Sequence, residues 1–264
     1  MKKFPSLPFL AKRLTAIPLF FGIILTASFG LADYPELERL KNLKGGKDHR
    51  AEESAARDRA QLESAYRLAV QTAANLRYQE ILHMVVEPRE EVLDSVFDFR
   101  GLLLKHGEIS VLPPVISEAG EALRIDEGGK SASFQTKSFL LLSGARIVSG
   151  PPDWRRYLYL DLKNPEEVHP TLLPASLKER ESWKERIERG FQAGLEQGDI
   201  LFKNQVALLT RDFLGLLLYE ELKGEKRLKE PSVKDGSQER VSSPEELVLG
   251  VKRYELVTGG SFSE

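Results

Sequence analysis

The stretch SLKERESWKERIERGFQAGLEQGDILFKNQVALLTRDFLGLLLYEELK, residues 176–223, decides the fold. It opens with Ser176-Leu177-Lys178-Glu179, a capping box. The serine hydroxyl can accept from the Glu179 amide, and the Glu179 carboxylate can reach back to the Ser176 amide. Trp183, Ile187, Phe191, Leu195, Phe202, Leu209, Phe213 and Leu216 then recur at helical spacing and mark one apolar side. An unbroken helix of that length is unusual. Gly198 is the natural place for a break, so the pattern predicts two helices meeting there. Gly190, Gly194 and Gly198 lie four apart on one face. Each glycine in a helix interior costs about 1 kcal/mol relative to alanine, so something must offset the cost. Close approach of a second backbone would do so, inside the same domain or from another subunit; a hinge is the third reading.

A second helix is predicted upstream. Leu62, Ala65, Tyr66, Ala69, Ala73, Leu76, Leu82 and Val85 recur at intervals of mostly three or four, and Pro88 is expected to stop it. The small residues on this stripe allow another element to approach closely. A further apolar helix is expected over 92–104, with Phe97 and Phe99 as core candidates. Pro113 and Pro114 enforce an extended segment. Strands are expected at 122–125, 131–135 and 139–148. Asp126-Glu127-Gly128-Gly129 is read as the turn between the first two, and Gly150-Pro151-Pro152 as the end of the third. Residues 229–244, rich in Pro, Gly, Ser and charge, read as a linker. Residues 245–258 read as a small terminal hairpin built from Leu247–Leu249 and Arg253–Val257, and 259–264 as a loose tail. The fold class is therefore α+β: a helical layer on a small, mainly antiparallel sheet, with a C-terminal β-hairpin. The core domain is expected over 60–228.

The N-terminus has the pattern of an exported protein. Lys2, Lys3, Lys12 and Arg13 precede an apolar run over 17–29, and Gly30-Leu31-Ala32 offers small residues at the expected cleavage positions. The run of 13 residues is short of the roughly 20 that span a membrane. We expect a signal peptide over 1–32, cleaved between Ala32 and Asp33, and a flexible tether over 33–59. Losing the four leader cations moves the net charge from −2 to −6, with 34 basic residues against 40 acidic ones. A mildly acidic chain argues against general nucleic-acid binding. With no cysteine, disulfides, thiolate metal sites and a cysteine nucleophile are excluded.

The residues do not assemble an enzyme. His49, His83, His106 and His169 are scattered, and no two share a metal-ligand spacing. The acid pairs Glu90-Glu91, Glu166-Glu167 and Glu220-Glu221 are sequence neighbours, which point in different directions on a helix or strand. There is no GxSxG elbow, and Gly128-Gly129-Lys130 lacks the rest of a phosphate loop. Neither cofactor nor metal is implied. A hydrolase using distant carboxylates and a soluble ligand-binding protein are the alternatives to a structural role. Trp154-Arg155-Arg156-Tyr157 could recognise an anionic or planar partner, or its arginines could pair with local acids around buried aromatics.

Six blocks in order resemble the DotC family of type IVB (Dot/Icm-type) secretion systems, which includes the TraI proteins of I-type conjugative plasmids. They are FDFRGLLL at 97–104, VLPP at 111–114, SGPPDWRRYL at 149–158, LLP at 172–174, ERGFQAG at 188–194 and RDFLGLLLYEEL at 211–222. The similarity covers about residues 60–257. It implies a non-enzymatic subunit of the core complex at the outer membrane, acting with a DotD-like lipoprotein and a DotH-like subunit in a ring-like assembly. It carries no catalytic residues. Its motif residues here are Phe97, Phe99, Arg100, Pro113, Pro114, Pro151, Pro152, Trp154, Arg155, Tyr157, Gly190 and Gly194, the candidates for partner contacts. The family's leader typically ends in a lipobox cysteine. This chain reads Gly30-Leu31-Ala32-Asp33 instead, so attachment at the membrane is expected to run through protein partners.

Overall fold

The structure is a computed structural model, and it describes residues 34–44, 54–120, 122–126, 128, 131–135, 137–236, 239–242 and 247–263. The expected leader, its cleavage point at Ala32 and Asp33, and the glycines at 45 and 46 lie outside the described residues. The chain divides into two compact units where one core domain was expected. One is built from residues up to 96 and 155–207, the other from 97–154 and 208–264.

The first unit is organised on two helices, α2 (Ser54–Ile81) and α5 (Leu177–Gly224), the latter continuing into the second unit. The capping box forms as the sequence predicts. The Glu179 amide donates to Ser176 Oγ at 3.2 Å, and Glu179 Oε2 accepts from the amides of Ala175 at 2.7 Å and Ser176 at 3.4 Å. The break expected at Gly198 is absent: α5 runs 48 residues without interruption. The reason lies in what the glycines face. Tyr66 lies against Gly190, Val70 against Gly194, Ala74 against Gly198, and the Tyr78 ring meets Phe202 edge-on at 5.7 Å. Each pair is 124 apart in sequence, so the two helices run parallel and in step, four residues at a time. A Cβ at Gly190 would lie 2.7 Å from Tyr66 O, and one at Gly198 would lie 2.8 Å from Arg77 Cβ. Ala65, Ala69 and Ala73 are fully buried in the same seam. Close packing offsets the glycine cost, and the helix continues.

The tether expected over 33–59 is instead partly helix. Residues Pro35–Lys41 form α1, with Tyr34, Leu37 and Leu40 buried three apart. The Tyr34 ring tilts against Phe191 at 5.4 Å, and Trp183 Nε1 donates to Leu40 O at 3.1 Å. Pro88 does not end α2. The α-helix gives way at Ile81 to a π turn, Leu82–Val86, then to a 3-10 turn, Glu87–Arg89, which holds Pro88 in its first two positions, where its missing N–H is harmless. Helix α3 (Glu90–Val96) follows and stops well before 104.

In the second unit a 3-10 turn, Arg100–Leu102, leads into the strands β1 (Leu104–His106) and β2 (Ile109–Leu112). The strands β3 (Val115–Ala119), β4 (Ala122–Ile125), β5 (Ala132–Gln135), β6 (Ser138–Ser143) and β7 (Arg146–Val148) follow. Antiparallel pairing of β2 with β7, β3 with β6 and β4 with β5 makes one long interrupted hairpin. Its tip closes with the Asp126 amide donating to Ser131 O at 3.1 Å; Glu127 and Gly129 of the expected turn lie outside the described residues. The single strand expected over 139–148 is two, because Pro113-Pro114 interrupts one side of the ladder where Gly144-Ala145 interrupts the other. Prolines cannot donate to a ladder, so both strands lose pairing at the same place.

The short helix α4 (Arg155–Leu158) and a 3-10 turn, Pro170–Leu172, carry the chain to α5 within the first unit. After α5 come β8 (Leu228–Lys229), β9 (Ser232–Asp235), β10 (Glu239–Ser242), β11 (Leu247–Val251), β12 (Tyr254–Thr258) and β13 (Ser261–Phe262). A C-terminal hairpin is present, but with other arms than expected: the stretches at 247–249 and 253–257 do not pair with each other, since β11 pairs with β10 and β12 with β9. β8 pairs with β13, β9 with β12 and β10 with β11, so the expected linker over 229–244 is one side of the hairpin, and part of the expected loose tail is its end. Pro231 and Gly236, which suggested a linker, fall between the paired stretches. There the Gly236 amide still donates to Arg253 O at 2.5 Å.

Candidate functional site

The sequence singled out an aromatic–arginine motif, a proline pair and a glycine face. The structure distributes them over both units and uses most of them for packing. Phe97 and Phe99 are buried and meet Phe213 edge-on, with ring centroids 5.3 and 5.1 Å apart. Aromatic pairs in this geometry favour the positive ring edge over the negative ring face. Pro113 and Pro114 are buried, whereas Pro151 is exposed and Pro152 half-buried. Trp154 is buried and Tyr157 half-buried. Gly190 and Gly194 are buried in the helix seam.

The two arginines of the set turn to nearby acids. Arg100 donates from Nε to Asp98 Oδ1 at 2.8 Å and from Nη2 to Asp98 Oδ2 at 3.1 Å. Arg155, on α4, bridges two carboxylates of α3: Nη2 to Glu90 Oε2 at 2.8 Å and Nη1 to Asp94 Oδ1 at 2.7 Å. Tyr159 Oη donates to Glu90 Oε1 at 2.8 Å. Hydrogen bonds from Arg155, then Tyr159, hold the Glu90 carboxyl below its ordinary value. Burial and the neighbouring Glu90 push the Tyr159 hydroxyl up to about 12. A guanidinium so occupied joins two local segments.

A part-buried ionic cluster centred on Arg77, which nothing in the sequence marked, joins α2, α5 and Tyr34 at the start of α1. Arg77 is buried and donates to Asp199 Oδ1 at 2.8 Å and Glu80 Oε2 at 3.1 Å, while Tyr34 Oη donates to Glu80 Oε2 at 3.2 Å. Gly215 also escaped notice. A Cβ there would come 2.8 Å from Ile116 O, so α5 meets β3 as closely as it meets α2. The signal was the one that drew attention to Gly190: a glycine on the buried side of a helix.

The open features of the first unit lie elsewhere. A groove of about 620 Å³ is lined by the apolar Leu40, Leu43, Leu68, Leu76, Val168 and Leu173 and by the polar Glu36, Arg39, Asn75 and Glu167 among others. Asn75 Nδ2 donates to Lys163 O at 2.8 Å, fixing one wall. Among the described residues no group of three or more His, Cys, Asp or Glu is placed to hold a metal ion, and no helix is long and apolar enough to cross a membrane.

These features define an α+β protein of small antiparallel sheets and a tightly seamed helix pair, whose marked residues act mainly in packing. Over residues 55–258 the chain matches the TraI family model, described as type IV secretory system, conjugal DNA-protein transfer. The match spans well over half of the chain, which belongs to that family and is a type IV secretion component. No curated protein matches it.

Proposed function

We propose that the protein is a structural subunit of the core complex of a type IVB, Dot/Icm-type secretion or conjugation system. In this reading it is DotC-like and sits on the periplasmic side of the outer membrane. It assembles with a DotD-like lipoprotein and a DotH-like subunit and helps place the channel. The family match over most of the chain carries the reading. The use of the motif residues for packing and local ion pairs supports it, because a scaffold needs a fixed shape more than a reactive centre. In the same reading those partners hold it at the membrane.

The test is mild cross-linking of native envelopes, gentle solubilisation, purification through a tag and mass spectrometry. Recovery of DotD-like and DotH-like proteins in one large particle is the expected result. Recovery of this protein alone, under conditions where those two are recovered with each other, overturns the proposal. A second reading, a periplasmic ligand-binding protein, draws on the groove beside α1, whose volume falls within the roughly 300–1,000 Å³ of ordinary small-molecule sites. Native mass spectrometry of the protein taken from the periplasm would then find it carrying a bound small molecule.

A further inference from the structure

Helix α1 rests on a helix pair whose seam closes without it. Gly190 lies on Tyr66, Gly194 on Val70 and Gly198 on Ala74, and none of these contacts involves α1. What α1 adds is Tyr34, Leu37 and Leu40, which join one buried cluster with Trp183, Ile187, Phe191 and Leu195. Three polar ties hold its two ends. Tyr34 Oη donates to Glu80 Oε2 at 3.2 Å, Trp183 Nε1 donates to Leu40 O at 3.1 Å, and Lys41 Nζ pairs with Glu188 at 2.6 Å.

The helix does not sustain itself once those contacts are lost. It has seven residues, and Tyr34 at its start supplies no side-chain cap. Isolated helices shorter than roughly 12–15 residues are marginal in water, so docking and helicity of α1 are one event. Segments held by few buried side chains open at a lower free energy than the elements they rest on. We propose that α1 is a releasable strap. It lifts from α2 and α5 as a unit while the pair stays folded, and its departure uncovers Trp183, Ile187, Phe191 and Leu195. It also removes one wall of the groove, to which it contributes Glu36, Arg39 and Leu40. One motion thus sets both the exposure of the apolar face and the access to the groove.

Tyr34 is the latch that can be loosened alone. Glu80 Oε2 accepts from both Tyr34 and Arg77, and Arg77 also donates to Asp199 of α5. Removing the Tyr34 hydroxyl keeps the Arg77 ties within the pair and the tyrosine ring on Phe191. Tyr34→Phe therefore weakens the strap and spares what lies beneath it. This inference stands apart from the secretion reading, and either can fail without the other.

The experiment uses the absence of native cysteine. Leu37→Cys reports on the strap and Ile187→Cys on the face it covers. Phe202→Cys, buried on α5 against Tyr78 and outside that cluster, reports on the pair alone. Each variant is expressed from the full sequence, and its thiol is labelled with iodoacetamide in native buffer. The labelling rate relative to an unstructured cysteine peptide gives the open fraction, and urea unfolding of the same variant gives its unfolded fraction. At Leu37→Cys and Ile187→Cys the open fraction is expected to exceed the unfolded fraction by at least about ten-fold, as sub-global opening requires. At Phe202→Cys the two are expected to agree. Adding Tyr34→Phe is expected to raise labelling at the first two sites about three-fold or more, the effect of one lost hydrogen bond, and to leave the agreement at the third. An Ile187→Cys thiol that labels only as fast as its variant unfolds overturns the proposal, even if Leu37→Cys is faster, because α1 then frays without uncovering the face. So does an equal excess at all three sites, which means the pair itself opens, or labelling of Ile187→Cys that Tyr34→Phe leaves unchanged.

Discussion

Gly194 of α5 lies against Ala73 of α2 so closely that a Cβ built on the glycine would stand 2.7 Å from the alanine Cβ, with Val70 O nearer still. Neither obstacle is the far end of a flexible side chain, so neither can move aside cheaply. Gly194→Ala is therefore predicted to destabilise the protein by about 2–3 kcal/mol, as overpacking, despite the gain of up to about 1 kcal/mol in helix propensity. Gly224→Ala, at the other end of the same helix, meets nothing within 4 Å. It should be neutral or stabilising by a few tenths to about 1 kcal/mol. Thermal unfolding of the two variants side by side checks both signs.

Two fully buried tyrosines differ in one atom's surroundings. Tyr78 Oη donates to Leu158 O at 2.8 Å, whereas Tyr219 Oη is buried with no hydrogen-bond partner among the described residues. Burial raises the pKa of both. Tyr78→Phe removes one of two donors to the Leu158 carbonyl, which keeps the Leu160 amide at 3.2 Å, and is predicted to cost about 1 kcal/mol. Tyr219→Phe removes a buried polar atom that has no partner, and is predicted to be neutral or to stabilise by about 1 kcal/mol. Chemical denaturation reads both, and an equal loss from the two would refute the distinction.

The helices were legible because their signals are local: the capping box at Ser176 and Glu179, and the alanines at 65, 69 and 73. What those alanines pack against was not, because the partner glycines lie 124 residues away. The same glycines therefore supported both a tight seam and a break, and only the neighbouring backbone separates the two. Residues 229–244 were misread because Pro231 and Gly236 punctuate a hairpin as well as a linker, and the strands that pair with them come afterwards. Tyr34, Leu37 and Leu40 are too few to mark a helix by composition. Arg155 could be weighed for a role, but Glu90 and Asp94, 65 and 61 residues upstream, could not be assigned to it. The apolar run within the strand expected over 139–148 was visible; the exposure of Leu140, Leu141 and Leu142 was not, since leucine reads the same in a core and at a surface.

The Arg155–Glu90 pair makes a pH-dependent prediction. Hydrogen bonds from Arg155 and then Tyr159 lower the Glu90 pKa from 4.5. A carboxylate whose pKa is depressed by folding contributes stability that is present above the unfolded value and lost as pH falls through the folded one. Glu90→Gln should therefore lower the melting temperature slightly at pH 7, with the gap to the parent closing below pH 4.5. The pair is partly exposed, so added salt should also narrow the gap at pH 7. Melting curves from pH 7 to pH 3 check the direction. A gap that widened on acidification would contradict it.

The pairing of the C-terminal hairpin decides which truncation is tolerated. Removing residues 247–257 would strip β9 and β10 of β12 and β11, their only strand partners among the described residues. The hydrogen bond from the Gly236 amide to Arg253 O marks a rung at which the hairpin can be closed early. Replacing 237–252 with Asn-Gly puts a two-residue turn across that rung, and this turn type matches the twist of paired strands. The replacement gives up the exposed Lys252–Glu108 ion pair, and exposed pairs of this kind contribute little because solvent and salt screen them. It keeps Tyr254 against Gly107, where the positive φ of 56° and the tyrosine hydroxyl 3.4 Å from a Cβ position fix the β1–β2 turn. The shortened hairpin is predicted to melt within a few degrees of the parent, whereas deletion of 247–257 should lower the transition clearly and expose two unpaired strands to aggregation. If the shortened hairpin then fails to join the envelope particle while remaining folded, its distal half, β10 and β11, is a partner-binding element.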